Sequence, residues 1–362
     1  MILFEIGSAV VVGVGMKAKQ DAWIAILLGM LSGMILFLVY GYLYRSYPGA
    51  PLTSYLQEIL GRWLGGSLAF FYILYFLYIA SRVFRDFTEL LIIAALHDTP
   101  MLAINLLMIF IIMYGVYLGI EVLGRASEIF IVSVVALGAL GMVFIFASNV
   151  FIIENLQPVL ENGWNPVLTT AFPLTFTFPF GEMIVFTMLL PFLNHPKLGT
   201  KVGLLSILIS GLMITFTIAV NIGVLGATSA AQSTFPLLET VGKVNVGNFI
   251  QRIDPVVIVI LIIGGFFKIV IFVYAAVVGV VDLFHIKKPQ SVLIPVGAAV
   301  LITSITIASN FVEHIEIGLE KVPYYLHLPF QAGIPLLLLI VTIIRKNVMR
   351  QKSSNHVNQE ES

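Results

Sequence analysis

Ten apolar runs, near 2–16, 22–44, 68–95, 101–118, 127–148, 167–193, 201–226, 255–283, 291–309 and 329–345, leave this chain few ways to fold. Most are long enough to cross a bilayer as a helix, where every backbone polar group must be satisfied within the segment. Hydrophobic residues make up 59% of the 362, charged ones 10%, and mean hydropathy is +1.03. No water-soluble core needs apolar runs this frequent, so the expected class is an all-α integral membrane protein of about ten transmembrane helices. The formal net charge of zero gives no hint of nucleic-acid binding. The absence of cysteine excludes disulfides, thiolate catalysis and thiolate metal sites.

Lysine and arginine placement sets the expected orientation. Loops after the even-numbered helices and the C-terminal end carry eleven: Arg45, Arg62, Arg125, Lys197, Lys201, Lys287, Lys288, Arg345, Lys346, Arg350 and Lys352. The other side carries five: Lys17, Lys19, Lys243, Arg252 and Lys321. The positive-inside rule then puts both termini in the cytoplasm. Residues 346–362 are polar and read as a disordered cytoplasmic tail. Residues 46–66 place Tyr55, Leu56, Ile59, Leu60, Trp63 and Leu64 at helical spacing, as in a short interfacial helix. Phe235–Val241 reads as a second short helix, on the outer side.

The sixth run departs from the others. Residues 173–194 are apolar and long, yet Pro179, Gly181 and Glu182 stand at their centre. Proline removes a backbone donor, glycine weakens a helix, and a carboxylate in hydrocarbon is costly. Such a segment persists in a membrane only where its broken backbone lines a cavity. The first run has a smaller interruption, Gly7-Ser8-Ala9. Ten helices divide as five and five, so the two breaks take corresponding places in two halves, about 1–148 and 167–345. That is the sequence pointer to a transporter-type binding site in one domain, 1–345. The repeat rests on spacing, not on residue identity. Met1-Ile-Leu-Phe-Glu5 lacks the basic start of a cleavable signal peptide, and the chain reads as starting inside its first helix.

Several motifs in order resemble the endospore germination permease family, the GerAB-like B subunits of spore germinant receptors, within the amino-acid/polyamine/organocation permease superfamily. They are Gly7-Ser-Ala9 with Ala18-Lys-Gln-Asp-Ala-Trp23, Tyr47-Pro48 with Leu60-Gly-Arg-Trp-Leu-Gly65, Phe178-Pro-Phe-Gly181, and Arg252-Ile-Asp254. Each is weak alone; together they span nearly the whole chain. The resemblance implies a LeuT-like fold: ten helices in a 5+5 inverted repeat, with helices 1 and 6 unwound at mid-membrane. It implies recognition of a germinant, commonly an L-amino acid, in the spore inner membrane, with receptor A and C subunits as partners. It also implies more residues before the first break than this chain has.

An amino acid presents a carboxylate and an ammonium, and broken helices offer free N–H groups and carbonyls to them. Candidate ligand-binding residues are therefore Gly7, Ser8 and Ala9, which supply donors, and Phe178, Pro179, Phe180 and Gly181, which supply carbonyls and an apolar wall. The alternative for Gly7 and Ala9 is close helix contact. Glu182 is placed to meet the ligand ammonium or to be buried as the acid, and Tyr78 and Val83 are candidate walls. Lys268, in a run without Ser or Thr over 256–281, is a candidate charge-coupling group with Glu182 and Glu5. Its alternative is a structural ion pair with either carboxylate. Arg82 with Asp86, and Arg85 with Glu89, are spaced to pair along one helix. The six histidines show no ligand spacing, and no nucleophile–base pattern appears, so no metal, cofactor or enzyme activity is expected. Three functions fit: a receptor subunit, a proton-coupled amino-acid permease working by alternating access, and a ligand-opened channel.

Overall fold

The computed structural model describes residues 1–10, 12–247, 250–251 and 253–360, with side chains for all of these except 250–251 and 349–360. Arg252, counted above toward orientation and motif, lies outside the described residues, as do the side chains of Arg350 and Lys352. Helices dominate. The one exception among the described residues is a two-stranded antiparallel ribbon, β1 (Asn245–Val246) with β2 (Ile250–Gln251), in register Asn245 to Gln251.

Among the described residues, eight helical segments are long and apolar enough to cross a membrane. A ninth is added if α12 (Gln290–Thr306) and the following Phe311–Lys321, bent by 109°, form one span. The expected tenth, run 2–16, is not one continuous helix. It gives α1 (Ile2–Ala9), about 12 Å long at 1.5 Å per residue, and then positive φ at Gly13 (52°) and Gly15 (86°). Only glycine enters that region without a Cβ penalty. A 3₁₀ segment, Met16–Asp21, then leads into α2 (Ala22–Ser46).

The expected short helices are present. α3 (Leu52–Leu60) buries Tyr55, Leu56 and Ile59, whereas Trp63 and Leu64 belong to the next helix, α4 (Arg62–Ala94), and are exposed. Asp282 Oδ2 accepts 2.5 Å from Thr53 Oγ1 and 2.9 Å from Ser54 Oγ, which ties the start of α3 to a long neighbour. α5 (Met101–Leu118) and α6 (Ile120–Ala147) follow. On the opposite connection, α9 (Ala227–Gln232) and α10 (Pro236–Gly242) succeed α8 (Gly199–Leu225), and α10 buries Leu237 and Val241. The polar end, expected to be disordered, instead continues α14 (Ile334–Glu360). Lysine, arginine, glutamine and methionine there are good helix formers, and the span before them supplies the nucleus.

The sixth run is broken as its sequence requires. α7 (Trp164–Thr170) passes into a π turn, Ala171–Thr175, with Phe172 extended (φ −122°, ψ 121°), and later into a 3₁₀ stretch, Phe180–Met188. Hydroxyls serve and anchor the irregular run: Thr177 Oγ1 donates to Pro173 O at 2.8 Å within it, and Thr175 Oγ1 donates to Ala25 O of α2 at 2.7 Å. This segment sits in the middle of the bundle: 83% of its apolar window is buried, against 11% for α6, which therefore faces outward.

Around it, α11 (Asp254–Leu283) lies along α4 and against α1. The α1–α11 crossing is glycine on glycine: a Cβ at Gly7 would stand 2.5 Å from Gly264 O, and one at Gly264 2.7 Å from Gly7 Cα. Backbone cannot yield as a flexible side chain can. Gly264→Ala is therefore expected to lower stability by about 1–3 kcal/mol. Gly124→Ala, where a Cβ meets nothing within 4 Å, leaves it unchanged or higher. Thermal melting of the purified protein in detergent checks the contrast.

Candidate functional site

The broken sixth run, α1 and α11 meet at a buried ion pair. Lys268 Nζ, on α11, lies 2.5 Å from Glu182 Oε2, on the 3₁₀ stretch, with side chains 0% and 3% exposed. Beyond that contact neither atom has a hydrogen-bond partner. Two rings stand in for solvent around the ammonium: its distance to the Phe178 centroid is 4.6 Å and to the Phe4 centroid 5.2 Å. Both lie within the range where a ring face attracts a cation. Phe4, from α1, is itself held edge-on by Phe186 at 5.1 Å.

Above the pair is a pocket of about 430 Å³, its open mouth included. Glu182 and Phe178 line it from the broken segment, and Ile79, Arg82, Val83 and Asp86 from α4. Val12, from the break after α1, closes one side, and His327 another. The cover is α13 (Phe311–Glu316) and the π turn Ile317–Lys321, which contribute Ile315, Gly318 and Leu319. Arg82 does not pair with Asp86, as the i,i+4 spacing suggested. Its Nη2 donates to His314 O at 2.5 Å, and Asp86 Oδ1 meets His314 Nε2 at 2.8 Å. The cover supplies a backbone acceptor and an imidazole together, and these outcompete the local pair. Gly318 is needed there, because a Cβ would collide with Arg82 Nη2. Arg85 does pair with Glu89, at 2.7 Å.

A polar network fixes the floor beside Glu182. Tyr75 Oη and His327 Nδ1 are 2.7 Å apart, and Gln331 Nε2 donates to Tyr75 Oη at 2.7 Å. Tyr40 Oη donates to Gln331 O at 2.6 Å. The Gln331 amide oxygen occupies the space that a side chain at Gly181 would take.

Of the residues singled out in the sequence, Val83, Phe178 and Glu182 line the pocket, and Lys268 lies beneath it. Tyr78 stands behind the wall, with its hydroxyl 3.4 Å from Arg82 Nη1. Gly7, Ser8 and Ala9, expected at the first break with free donors, instead lie inside α1, where the helix uses their N–H groups, and the break follows them. Gly7 abuts Gly264, Ala9 is buried, and Ser8 Oγ is buried without a partner among the described residues. Phe180 packs on Gly33, Gly181 on Gln331, and Pro179, just before them in the chain, is buried. Glu5 is buried apart from the pocket; Ser210 donates to one oxygen, and the other has no partner. Sequence reasoning missed His314 and His327, since it sought metal spacing. The usable signal was the pair His327 and Gln331, one turn apart on an otherwise apolar run.

A bundle of apolar spans around a pocket lined by charges of both signs defines a multi-pass membrane protein. The chain belongs to the spore germination protein family, the spore permeases, whose family model matches residues 1–312. It is 45% identical over 353 residues to spore germination protein KB of Bacillus subtilis (strain 168), covering 98% of this chain and 94% of that one. It is 27% identical to spore germination protein YndE of the same strain, over 91% of this chain and 88% of that one. Spore germination protein XB of Bacillus anthracis is 23% identical, over 91% of each chain.

Removing one member of a buried ion pair strands the other's charge, whereas removing both does not. Lys268→Met alone is expected to destabilise by about 3–5 kcal/mol, and Lys268→Met with Glu182→Gln to recover most of that loss. Melting temperatures of the single and double variants decide it.

Proposed function

We propose that this chain is the germinant-sensing membrane subunit of a spore germinant receptor, and that it binds a small nutrient, an L-amino acid, in the pocket above Glu182 and Lys268. The observation that carries this reading is the balance of the pocket: Arg82 and Lys268 stand against Asp86 and Glu182, among the apolar side chains of Val12, Ile79 and Val83. A zwitterion with a small aliphatic side chain meets a partner for each charge there. Its ammonium is received by Glu182. Its carboxylate is received by the cationic side of the pocket, at Arg82.

The same reading takes the breaks after α1 and within 171–181 as the unwound centres of helices 1 and 6 in a LeuT-like 5+5 inverted repeat. Two facts support it: each break is followed by further helix, and Phe4 of α1 and Glu182 of the broken run both meet α11, the eighth helix of that scheme, at Lys268. Both termini then lie in the cytoplasm, the membrane is the spore inner membrane, and the partners are the receptor A and C subunits. Ligand contact at Glu182 changes what holds Lys268, so it bears on α1, the broken segment and α11 together. A ligand with unequal affinity for two arrangements of these elements shifts their populations.

The test is a germination assay beside uptake into proteoliposomes. Glu182→Gln removes a charge-assisted contact, and Gly181→Leu displaces Gln331 from the pocket floor. Each is expected to raise the nutrient concentration for half-maximal response by about tenfold or more. Unchanged response in both variants refutes the site. Concentrative uptake of labelled amino acid by the chain alone refutes the receptor reading in favour of a proton-coupled permease.

A further inference from the structure

A second cavity, separate from the charged pocket, lies between α6, α8 and α11, with Ile6 and Val10 at its inner wall and Leu237 and Val241 of α10 at one end. Its volume is about 570 Å³, open mouth included. Among the described residues no charged side chain lines it. The one polar side chain among them, the Thr217 hydroxyl, donates within its own helix to Met213 O at 2.9 Å. Nothing in this wall can hold an ion, a sugar or an amino acid, and apolar cavities of this kind do not hold water.

The glycines of α6 make the same point independently. Several glycines elsewhere in the bundle stand where a neighbour fills the Cβ position, such as Gly203 against Phe37, Gly211 against Met30 and Gly265 against Phe87, while at Gly66 and Gly124 a Cβ would meet nothing within 4 Å. Gly138 and Gly141 line the cavity instead. A Cβ at Gly138 would meet nothing within 4 Å, and one at Gly141 only Ile253 Cδ1 at 3.8 Å. A glycine inside a helix costs about 1 kcal/mol relative to alanine, and here no close protein contact requires it. The space these residues keep open is suited to a guest.

The surroundings identify the guest. The mouth is flanked by exposed apolar side chains on the outward faces of the same helices: Leu140 and Val143 on α6, Leu212 and Phe216 on α8. α6 is also the span with the smallest buried share, 11%, so this wall meets the bilayer directly. We propose that the cavity is a binding site for one acyl chain of a membrane lipid, which enters sideways between α6 and α8. Seated there, the chain lies on Ile6 and Val10, on the face of α1 adjoining the Gly7–Gly264 crossing. It braces a helix of only eight residues against α11. The charged pocket does not enter this inference.

The experiment uses the full chain in phosphatidylglycerol nanodiscs doped with a phospholipid that carries a diazirine at the end of one acyl chain. After photolysis, label is expected on the segments holding Leu137–Ile145 and Leu237–Val241. It should exceed the label at Phe110 and Ile129, on the outward surface, by about tenfold, the ratio that about 1.4 kcal/mol of closer packing than in the surrounding lipid supplies. A phospholipid with the diazirine in its headgroup should leave these segments unlabelled. Gly138→Leu and Gly141→Leu fill the cavity; in each, the label there should fall to the level at Phe110 with no drop in melting temperature. Equal labelling of cavity and outward surface in the unaltered protein overturns the proposal, and that comparison stands even if neither variant folds. So does label that persists in both folded variants, or label that a mixture of the standard amino acids displaces.

Discussion

Everything near the centre of this bundle answers to one contact, the ion pair between Glu182 and Lys268. Two charges withdrawn from water cost several kcal/mol each, and their attraction repays this only where geometry is close and nothing else is left exposed. The separation is 2.5 Å, and the ammonium also faces the rings of Phe4 and Phe178. These four residues come from three elements: α1, the broken sixth run and α11. None can move without changing the surroundings of a charge that has no other hydrogen-bond partner. The Gly7–Gly264 crossing is part of the same constraint, because a Cβ on either residue would push Phe4 and its helix away from Lys268.

The broken run pays for its irregular backbone with side chains from its neighbours. Tyr44 of α2 donates to Leu190 O at 2.9 Å, Tyr40 of α2 lies 3.4 Å from Gly181 O, and Thr177 of the run itself donates to Pro173 O. Each gives a carbonyl of the run a side-chain donor, which is the condition for non-helical backbone at membrane depth. Where α2 must approach, it carries glycine: Gly29 against Thr175 and Gly33 against Phe180. The break is thus held as firmly as a helix would be, and the cavity beside it has fixed walls.

Much of this was legible from the chain. The apolar runs gave the spans, and helical spacing gave α3 and α10. The cost of a charge in hydrocarbon marked Glu182 and Lys268 as residues that needed a partner, and each has the other. Three things were not legible, each for a physical reason. Hydropathy counts apolar residues but not their dihedrals, so the positive φ of Gly13 and Gly15, which ends α1 early, went unseen in run 2–16. Sequence spacing offers Asp86 to Arg82, but distant α13 brings His314, whose carbonyl and imidazole take both. The contact of Gln331 with Gly181 joins residues 150 positions apart, and a glycine records only that something is close, not what.

The cover over the charged pocket shows where the cost of reaching it resides. Lys17 and Glu320 form a 2.6 Å ion pair across its rim, with side chains 58% and 47% exposed. Water and salt reduce such a pair to about 0–1 kcal/mol. Arg82 and Asp86 hold His314 from below, in contacts where Arg82 and His314 are buried. Hydrogen bonds to charged groups in that setting are each worth about 1.5–3 kcal/mol. Lifting α13 therefore depends on the two residues that also line the pocket. A ligand that engages Arg82 or Asp86 competes with the cover for the same donor and acceptor, so access to the pocket and occupancy of the pocket are not separate equilibria.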